Sequence, residues 1–389
     1  MTLMPDGGEN FSVKVHRAIE AIGAEAWDRC AGDDNPFLSY AFLEALEASG
    51  SATAETGWLP QHLALEDETG RVVGVAPMYL KSHSYGEYVF DHGWAASYER
   101  VGGRYYPKLQ CAVPFTPVTG RRLLLSPEAP NGAAEALIAA MIELGRRHKV
   151  SSVHVTFPTE REWTQLGDAG FLQRVGQQFH WENDGYSDFE GFLAALNSRK
   201  RKQIHRERRD AMANGIEIEM LTGDALKPMH WDAFFRFYMS TSDRKWGSAY
   251  LTREFFDLIG KRIPDRVLLV MAKKQNRYVA GALNLIGSDT LYGRNWGCLG
   301  DFPFLHFEAC YYRAIDFAIE RGLKRVEAGA QGQHKIQRGY LPCHTYSAHW
   351  IRDNNFSEAV ADFLRREAHA LEHNMAELEE ELSPFKVAE

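Results

Sequence analysis

The sequence contains little that would support a disulfide framework, a membrane span or a signal peptide. Its five cysteines are scattered among 389 residues, no two have CxxC spacing, and their number is odd. This distribution is typical of a reduced, cytoplasmic protein. No window approaches the roughly 20 apolar residues that a membrane-spanning helix needs. The beginning of the chain, MTLMPDGGENFSVKV, has no basic flank before an apolar run, so no signal peptide is predicted.

The charge balance also lacks a positive excess. Lys and Arg number 44 against 52 Asp and Glu, which gives a net charge of −8. This argues against a broad nucleic-acid surface but leaves room for a local basic patch.

Hydrophobic content of 45% and charged content of 25% are typical of a globular protein, and the length predicts two domains. The aromatic content of 12% is high and fits either core packing or a ligand cleft.

The order of predicted elements is similar in the two halves of the chain. Each half contains a strand, two helices, antiparallel strands, a helix and further strands, and Glu68-Thr69-Gly70 predicts a hairpin turn in the first half. We therefore expect an α/β protein with mixed sheets and helices on both faces. The predicted organisation is a loose leader at 1–10, a module at 11–185 and a module at 186–389, with a basic helix at 192–213 and a last helix at 358–381.

The basic helix is unusual because its cations are barely interleaved with acids. Between residues 199 and 209 only Glu207 could form i,i+4 pairs with them. Such a cluster attracts phosphates, which could belong to tRNA, to the pyrophosphate of CoA or to a nucleotide- or lipid-linked precursor. The alternative is a solvated face docked on the acidic segment Glu377–Glu381. The candidate phosphate-binding residues are Arg199, Lys200, Arg201, Lys202 and Arg206.

A polar, glycine-punctuated loop follows the predicted strand that ends at Ala328. The stretch from Tyr292 to Tyr340 is predicted to be strand, loop, helix, strand and loop. Polar groups gathered after a strand end are typical of a binding or catalytic site, and the alternative is a solvated surface loop. The polar residues of this loop are Gln331, Gln333, His334, Lys335, Gln337 and Arg338.

A second candidate segment, His83–Pro117, is poor in aliphatic residues and rich in Tyr, Gly and charged residues. We predict an elaborated loop and strand pair that covers a cleft. The alternative is a Tyr-rich packing layer whose polar tips reach water. The candidate contact residues are Asp91, His92, Tyr105, Tyr106 and Lys108.

Several long stretches together resemble the tandem GNAT (N-acetyltransferase-like) architecture of the Fem aminoacyltransferases. They are similar, more closely, to a bacterial family of FemAB-like predicted N-acyltransferases of peptidoglycan biosynthesis or recognition. The stretches that carry this resemblance include NPFLSYAFLEALEASG, HSYGEYVFDHGWA, FLAALNSRKRKQIHRERR, LHFEACYYRAIDFAIERGL and EAGAQGQHKIQRGYLP.

The resemblance implies two GNAT-like modules with a cleft between them, and amide-forming acyl transfer. The acceptor would be an amine of a small molecule, a peptide or a cell-wall-type precursor. The co-substrate would be aminoacyl-tRNA, with the basic helix as the candidate tRNA-binding surface, or acyl-CoA, with no tightly bound cofactor. A GNAT pyrophosphate loop needs glycines before a helix. Here Asp301-Phe302-Pro303 takes the place of the third glycine, which weakens the acyl-CoA alternative.

Acyl transfer to an amine needs a proton acceptor, donors to the tetrahedral oxyanion and groups that position the substrates. We predict that Glu308 or His334 transfers the proton, with Glu327 and Asp91 as further catalytic candidates. The candidate substrate-binding residues are Arg294, Trp296, His306, Gln331, Lys335, Arg338, Tyr340, His180, Tyr106 and Lys108.

Other chemistries find no support in the sequence. The spacing of His306, Glu308, His334, His344 and His349 matches no zinc signature, so no metal site is predicted. No GxSxG or Cys–His signature points to a covalent intermediate. The alternative function is a non-catalytic protein that keeps the GNAT fold and binds a glycan or precursor. The oligomeric state is left open.

Overall fold

The computed structural model describes residues 2–3, 11–245, 249–329 and 332–386. They form two compact units: unit 1 comprises Met1–Gly176 and His344–His373, and unit 2 comprises Gln177–Cys343 and Asn374–Glu389. The units therefore differ from the two contiguous modules expected from the sequence, because the segment 344–373 belongs to the first unit. Within the predicted leader, Thr2–Leu3 pairs as a strand with Phe11 and Ser12.

Unit 1 contains two groups of paired strands. In the first, the order is β1-β2-β4-β5-β8 and all pairs are antiparallel. In the second, β3, β6 and β7 are antiparallel neighbours, β7 runs parallel to β9, and β9 is antiparallel to β16. The strands are β1 (Thr2–Leu3), β2 (Phe11–His16), β3 (Trp58–Pro60), β4 (His62–Glu66), β5 (Val72–Ala76), β6 (Met78–Lys81), β7 (Lys108–Cys111), β8 (Leu124–Leu125), β9 (Ser152–Thr156), β10 (Leu172–Glu182) and β16 (Leu341–Ile351).

Local signals explain several of these elements. The predicted hairpin joins β4 to β5, where Asp67 Oδ1 accepts hydrogen bonds from the backbone of Thr69 and Arg71. Apolar residues of α4, among them Leu137 and Met141, pack into the core with the strands. The helices of unit 1 are α1 (Ala24–Ala31), α2 (Tyr40–Ala48), α3 (His92–Arg100), α4 (Ala133–Arg147), α5 (Glu160–Asp168) and the first part of α12 (Asn354–Leu382).

The segment His83–Pro117 is not only the loop and strand pair that the sequence predicted, because it also contains helix α3. The helix forms because Trp94 and Ala95 can be buried in a small core with Ile351 and Val360. The Tyr-rich composition had hidden this short apolar face.

Unit 2 is built around strands in the order β11-β12-β13-β14-β15 followed by the end of β10. Neighbours are antiparallel except for β14 and β15, which are parallel. The elements are α6 (Phe189–Ala195), α7 (Ser198–Ala211), β11 (Ile216–Leu221), α8 (Pro228–Lys245), α9 (Arg253–Arg262), β12 (Val267–Lys274), β13 (Arg277–Ile286), β14 (Thr290–Cys298), α10 (Leu305–Phe307), a π-helical turn (Glu308–Tyr312), α11 (Arg313–Glu320), β15 (Arg325–Glu327) and a 3₁₀ turn (Gln333–Arg338).

The predicted basic helix at 192–213 is two helices, α6 and α7. Leu196 between them is extended and forms a β-bridge with Phe385. The side chain of Asn197 then caps α7 by accepting from the backbone N–H of Lys200 at 3.0 Å. The last helix starts at Asn354 rather than at 358, because Asp353 accepts from the backbone of Phe356 and begins it earlier. Among the described helices, none is both long and apolar enough to span a membrane.

Candidate active site

The parallel strands β14 and β15 separate after only three residue pairs. Their pairing ends where Tyr292 faces Glu327, whereas β14 continues to Cys298. The pairing of β14 with β13 also shifts here, because Asn284 faces Gly293 and the preceding pair joins Leu283 to Asn295. Residue 294 is therefore an extra residue, a bulge that bends the strand locally. The two strands consequently leave an opening between them.

A small cavity of ≈ 80 Å³ lies at this opening. It has room for a few non-hydrogen atoms, as an acyl carbonyl and its neighbours would need. Its lining includes Ala328 and three residues that the sequence had marked as substrate-binding: Arg294, Trp296 and His306. Gly293 also borders it, and an added Cβ there would lie 3.2 Å from the carbonyl oxygen of Glu327, so the close approach of the two strands favours glycine.

Glu327, the last residue of β15, lies opposite His180 of β10 and both side chains are buried. The distance from Glu327 Oε2 to His180 Nε2 is 3.9 Å, and within the described part of the chain Oε2 accepts no hydrogen bond. Burial raises the pKa of Glu327 to about 8, although Arg325 and Arg294 favour its charged form. Burial lowers the pKa of His180 to about 3. The pair is therefore mostly uncharged at neutral pH.

In the polar loop after β15, Lys335 and Arg338 are buried, whereas Gln333 and His334 are exposed. Lys335 Nζ donates a hydrogen bond to the backbone carbonyl of Gly329 at 2.8 Å. Burial lowers the pKa of Lys335 to about 8. The alternative that the sequence left open is therefore wrong for Lys335 and Arg338. Gln331 lies outside the described residues.

Arg338 is held by three kinds of contact. Its guanidinium forms an ion pair with Glu207 of α7 at 2.9 Å, donates to the carbonyl of His334 at 2.7 Å, and lies 3.5 Å from the centre of the Phe307 ring. Glu207 also accepts from the hydroxyl of Tyr312. Glu207 was not among the residues that the sequence marked for the site. Its one signal was that it is the single acid between residues 199 and 209.

Aromatic and imidazole rings form one wall beside the cavity. His334 Nε2 lies 2.9 Å from the hydroxyl of Tyr311, and Tyr340 donates to the backbone carbonyl of Tyr311 at 3.2 Å. The ring of His306 lies 5.3 Å from Tyr311 and 5.4 Å from Trp296, measured between centroids. Three residues marked by the sequence, His334, Tyr340 and His306, thus contact Tyr311, a residue that it did not mark.

Glu308 lies in a different environment from Glu327. Each of its carboxylate oxygens is 3.1 Å from a guanidinium nitrogen of Arg208, and Arg313 Nε lies 2.8 Å from Oε1. Its carboxylate therefore accepts two hydrogen bonds from Arg208 and has a second cation, Arg313, beside it. It also begins the π-helical turn, a feature that is frequent at functional sites. A role in proton transfer stays a prediction for Glu308, but the contacts favour an anchoring role.

The cations of α7 are divided between its two faces. Ile204 and Glu207 are buried on one face. The five candidate phosphate-binding residues are exposed or half-exposed, and none of them forms an ion pair within the described residues. In particular, none pairs with the acidic segment Glu377–Glu381, the docking that the sequence left open as an alternative.

Three of the predicted site residues belong to unit 1. Lys108 Nζ lies 2.5 Å from Asp91 Oδ2, and Tyr105 donates to the same oxygen at 2.7 Å. Burial opposes the ionisation of Asp91, but the ammonium of Lys108 outweighs it and holds the pKa of that carboxyl well below its usual range. Tyr106 shares a hydrogen bond of 2.8 Å with Ser84.

The fold is shared with solved structures of low sequence identity. A crystal structure of FemX has a TM-score of 0.53 and 13% identity, over 90% of this chain and 100% of that chain. The C-terminal domain of a putative lysylphosphatidylglycerol synthetase from Agrobacterium fabrum has a TM-score of 0.52 and 10% identity, over 89% and 96%. L-PGS from Bacillus licheniformis has a TM-score of 0.50 and 9% identity, over 85% and 98%. At these identities the likeness concerns the fold alone.

The predicted α/β class with mixed sheets is confirmed by the strand pairings, and the fold is similar to that of FemX. No curated protein sequence matches the chain significantly. A family profile does match it from residue 18 to residue 387, that of the FemAB-like family, described as "Peptidogalycan biosysnthesis/recognition". Because this match covers nearly the whole chain and agrees with the fold, the protein belongs to the FemAB-like family.

Proposed function

We propose that the protein is an N-acyltransferase. It joins an activated acyl or aminoacyl group to an amine of a small molecule, a peptide or a cell-wall-type precursor. The observation that carries this proposal is the opening between β14 and β15, where a small cavity adjoins a strand end with a buried carboxyl whose pKa is about 8. Family membership and the likeness to FemX support the same class of reaction.

Glu327 is the proton acceptor in this proposal. A general base works best when its pKa is near the working pH. The acceptor amine loses a proton to the carboxylate of Glu327 as its nitrogen attacks the acyl carbonyl. His180 stays neutral, so it adds no positive charge that would lower the basicity of Glu327.

The tetrahedral oxyanion needs hydrogen-bond donors. The backbone of Gly293–Trp296 borders the cavity and supplies these donors in this proposal. Collapse of the intermediate forms the amide C–N bond and breaks the bond to the leaving group, the ester C–O bond of an aminoacyl-tRNA or the thioester C–S bond of an acyl-CoA. The proton held by Glu327 then passes to the leaving oxygen or sulfur.

The donor is aminoacyl-tRNA or acyl-CoA in this proposal, used as a co-substrate. Both carry phosphates, and the five candidate phosphate-binding cations of α7 form no ion pair within the described residues. Both donors are made in the cytoplasm, where we therefore place the reaction. The alternative remains a non-catalytic protein that binds a glycan or precursor.

The test is direct product formation. The purified chain is incubated with mixed aminoacyl-tRNA or with acyl-CoA and a panel of amines that includes nucleotide-linked peptide precursors, and amides are identified by mass spectrometry. Glu327→Gln keeps the shape but cannot accept the proton, so its rate should fall at least about 100-fold. Glu320→Gln on the exposed end of α11 is the matched control. Binding of precursors without any amide would favour the non-catalytic alternative, and equal rates for wild type and Glu327→Gln would exclude the assigned base.

A further inference from the structure

Unit 1 contains a group of four charged side chains that is completely shielded from water. The side chains of Lys81 and Lys108 are 0% exposed, and those of Glu87 and Asp91 are 2% exposed. Burying charged groups costs free energy even when they are paired. The sequence marked Lys108 and Asp91, and gave no sign that Lys81 and Glu87 join them.

The two lysines stand directly opposite each other on neighbouring strands. In the antiparallel pair of β6 and β7, Lys81 is the register partner of Lys108. Like charges in this position repel and destabilise a sheet. An arrangement of this kind is stable only when an anion lies between or beside the two ammonium groups.

Glu87 supplies that anion at present. Its Oε2 lies 2.7 Å from Lys108 Nζ, and its Oε1 lies 3.9 Å from Lys81 Nζ. Lys108 is fully satisfied, because it also donates to Asp91 and to the hydroxyl of Ser84. Lys81 is not. Within the described part of the chain its ammonium makes one long hydrogen bond, 3.3 Å to the carbonyl of Tyr85, and lies 3.5 Å from the centre of the Trp58 ring.

Glu87 belongs to a segment that covers the cluster, residues 82–90, here named the strap. The strap contains no helix or strand, and it provides Ser84, the Tyr85 carbonyl and Glu87 to the two lysines. Its outer side chains Tyr85 and Phe90 are 61% and 57% exposed. The lysines are one part of what holds the strap to unit 1, since the backbone N–H of Phe115 also donates to the Gly86 carbonyl at 3.1 Å and Arg174 donates to the Phe90 carbonyl at 2.9 Å.

We infer that Lys81 and Lys108 form a binding site for a carboxylate or phosphate group of the acceptor, and that Glu87 plugs this site until the strap opens. The identification of the ligand as the acceptor rests on the proposed function. The site itself rests on the geometry of unit 1 alone. When the strap leaves, one carboxylate remains beside two ammonium groups, so the site carries a surplus positive charge. Tyr106, freed from Ser84, adds a hydroxyl donor.

The pKa values of Lys81 and Glu87 are consistent with a contact that an incoming anion can displace. Burial lowers the pKa of Lys81 to about 7 and raises the pKa of Glu87 to about 7. Near neutral pH these two groups therefore hold their charges weakly, and an incoming oxyanion can replace the Glu87 carboxylate beside Lys81 at small cost.

The test is hydrogen exchange of the full chain, followed at the amides of residues 82–90. Inorganic phosphate and acetate are titrated separately, with chloride at matched ionic strength as the salt control. We expect a saturable increase in exchange of the strap with phosphate, with acetate or with both, and none with chloride. The more effective anion identifies the ligand group as phosphate or carboxylate.

Variants sharpen the test. Glu87→Gln removes the charge of the carboxylate that pairs with the lysines. The anion concentration that gives half of the full response should therefore fall about tenfold. Lys81→Met should abolish the response. If that variant does not fold, Lys81→Arg, which keeps the charge, should retain the response. Glu99→Gln on the exposed side of α3 is the control and should titrate like the wild type.

Strap exchange that is unchanged or slowed by both anions would overturn the inference. So would a Glu87→Gln variant with the half-saturation of the wild type. Because exchange is measured without acyl transfer, either result leaves the proposed reaction standing. Conversely, an anion response in a protein that forms no amide would overturn only the proposed function.

Discussion

Arg338 and Glu207 join the polar turn after β15 to the basic helix α7 through a buried ion pair. Nη2 of Arg338 lies 2.9 Å from each carboxylate oxygen of Glu207, and Nε lies 3.1 Å from Oε2. The pair connects two stretches that are 131 residues apart in the chain. A ligand that binds the outer cations of α7 therefore binds a helix fixed to the turn that carries His334 and Lys335.

This pair gives the first prediction. Arg338→Ala leaves the Glu207 carboxylate buried without its cation, which should lower the free energy of unfolding by about 3–5 kcal/mol. Urea unfolding followed by circular dichroism measures the change. Arg338→Met with Glu207→Leu removes both charges and should recover most of the loss. The exposed substitution Arg209→Ala is the control, and an Arg338→Ala variant as stable as this control would show that the pair contributes little.

The second prediction concerns the outer face of α7. Replacing Arg199, Lys202 and Arg206 together by Gln should weaken tRNA binding and lower the slope of log K against log salt by about 2 to 3, because fewer counter-ions are released. Fluorescence anisotropy with labelled tRNA at several salt concentrations measures both quantities. A triple change at other exposed cations of unit 2, Arg277, Arg321 and Lys324, is the matched control. Equal slopes for the two triple variants would remove α7 from the binding surface.

The pH dependence of the reaction gives the third prediction. Glu327 accepts a proton only when it is ionised, and its pKa is about 8. The value of kcat/KM should therefore rise about tenfold per pH unit below pH 8 and level off above it. Arg294 favours the charged form, so Arg294→Gln should move the rise to higher pH. A rate that is constant between pH 6 and 9 would exclude Glu327 as the base.

The fourth prediction concerns stability between pH 4.5 and 6.5. In this window the unfolded chain has ionised Glu327, whereas the folded state keeps it protonated, so this group makes stability fall as pH rises. His180 has the opposite effect, because it is charged in the unfolded chain and neutral in the folded state. The two contributions nearly cancel in the wild type.

Single substitutions should reveal each contribution. In Glu327→Gln the slope of the unfolding free energy against pH should be more positive than in the wild type, by the equivalent of about one bound proton. In His180→Gln the slope should be more negative by the same amount. Urea titrations at half-unit pH intervals measure these slopes. Parallel slopes in the two variants would show that the burial of this pair does not shift its ionisation.

Local features of the fold were accessible from sequence because their causes are local. The hairpin turn needed only Asp67 and the residues after it, and the apolar face of 305–321 indicated a helix whatever its neighbours were. The boundaries of α7 were missed because Leu196 is a good helix former by itself, yet it is extended so as to pair with Phe385, far along the chain. Helix α3 was missed for a similar reason, since its burial depends on Ile351 and Val360.

The sequence segments that form the candidate site could be predicted, but the chemical roles of the single residues in them could not. The strand from Tyr292, the polar turn and the basic helix were identified as candidates, because their unusual composition is visible without a structure. The sequence favoured Glu308 or His334 as the base. Side-chain composition does not show that the guanidinium groups of Arg208 and Arg313 lie beside the Glu308 carboxylate. Nor does it show that Oε2 of Glu327 accepts no hydrogen bond within the described residues.

Residue order was sufficient to predict the α/β class, the family, and the clustering of cations and polar side chains in a few short stretches. Each of these depends on the order of residues along the chain. Tertiary structure alone decided that Lys335 and Arg338 are buried, that Glu327 has a pKa of about 8, and that Lys81 faces Lys108 across two strands. The physical reason is that burial, ionisation and charge pairing depend on which distant segments exclude water around a group, and sequence order does not specify those distances.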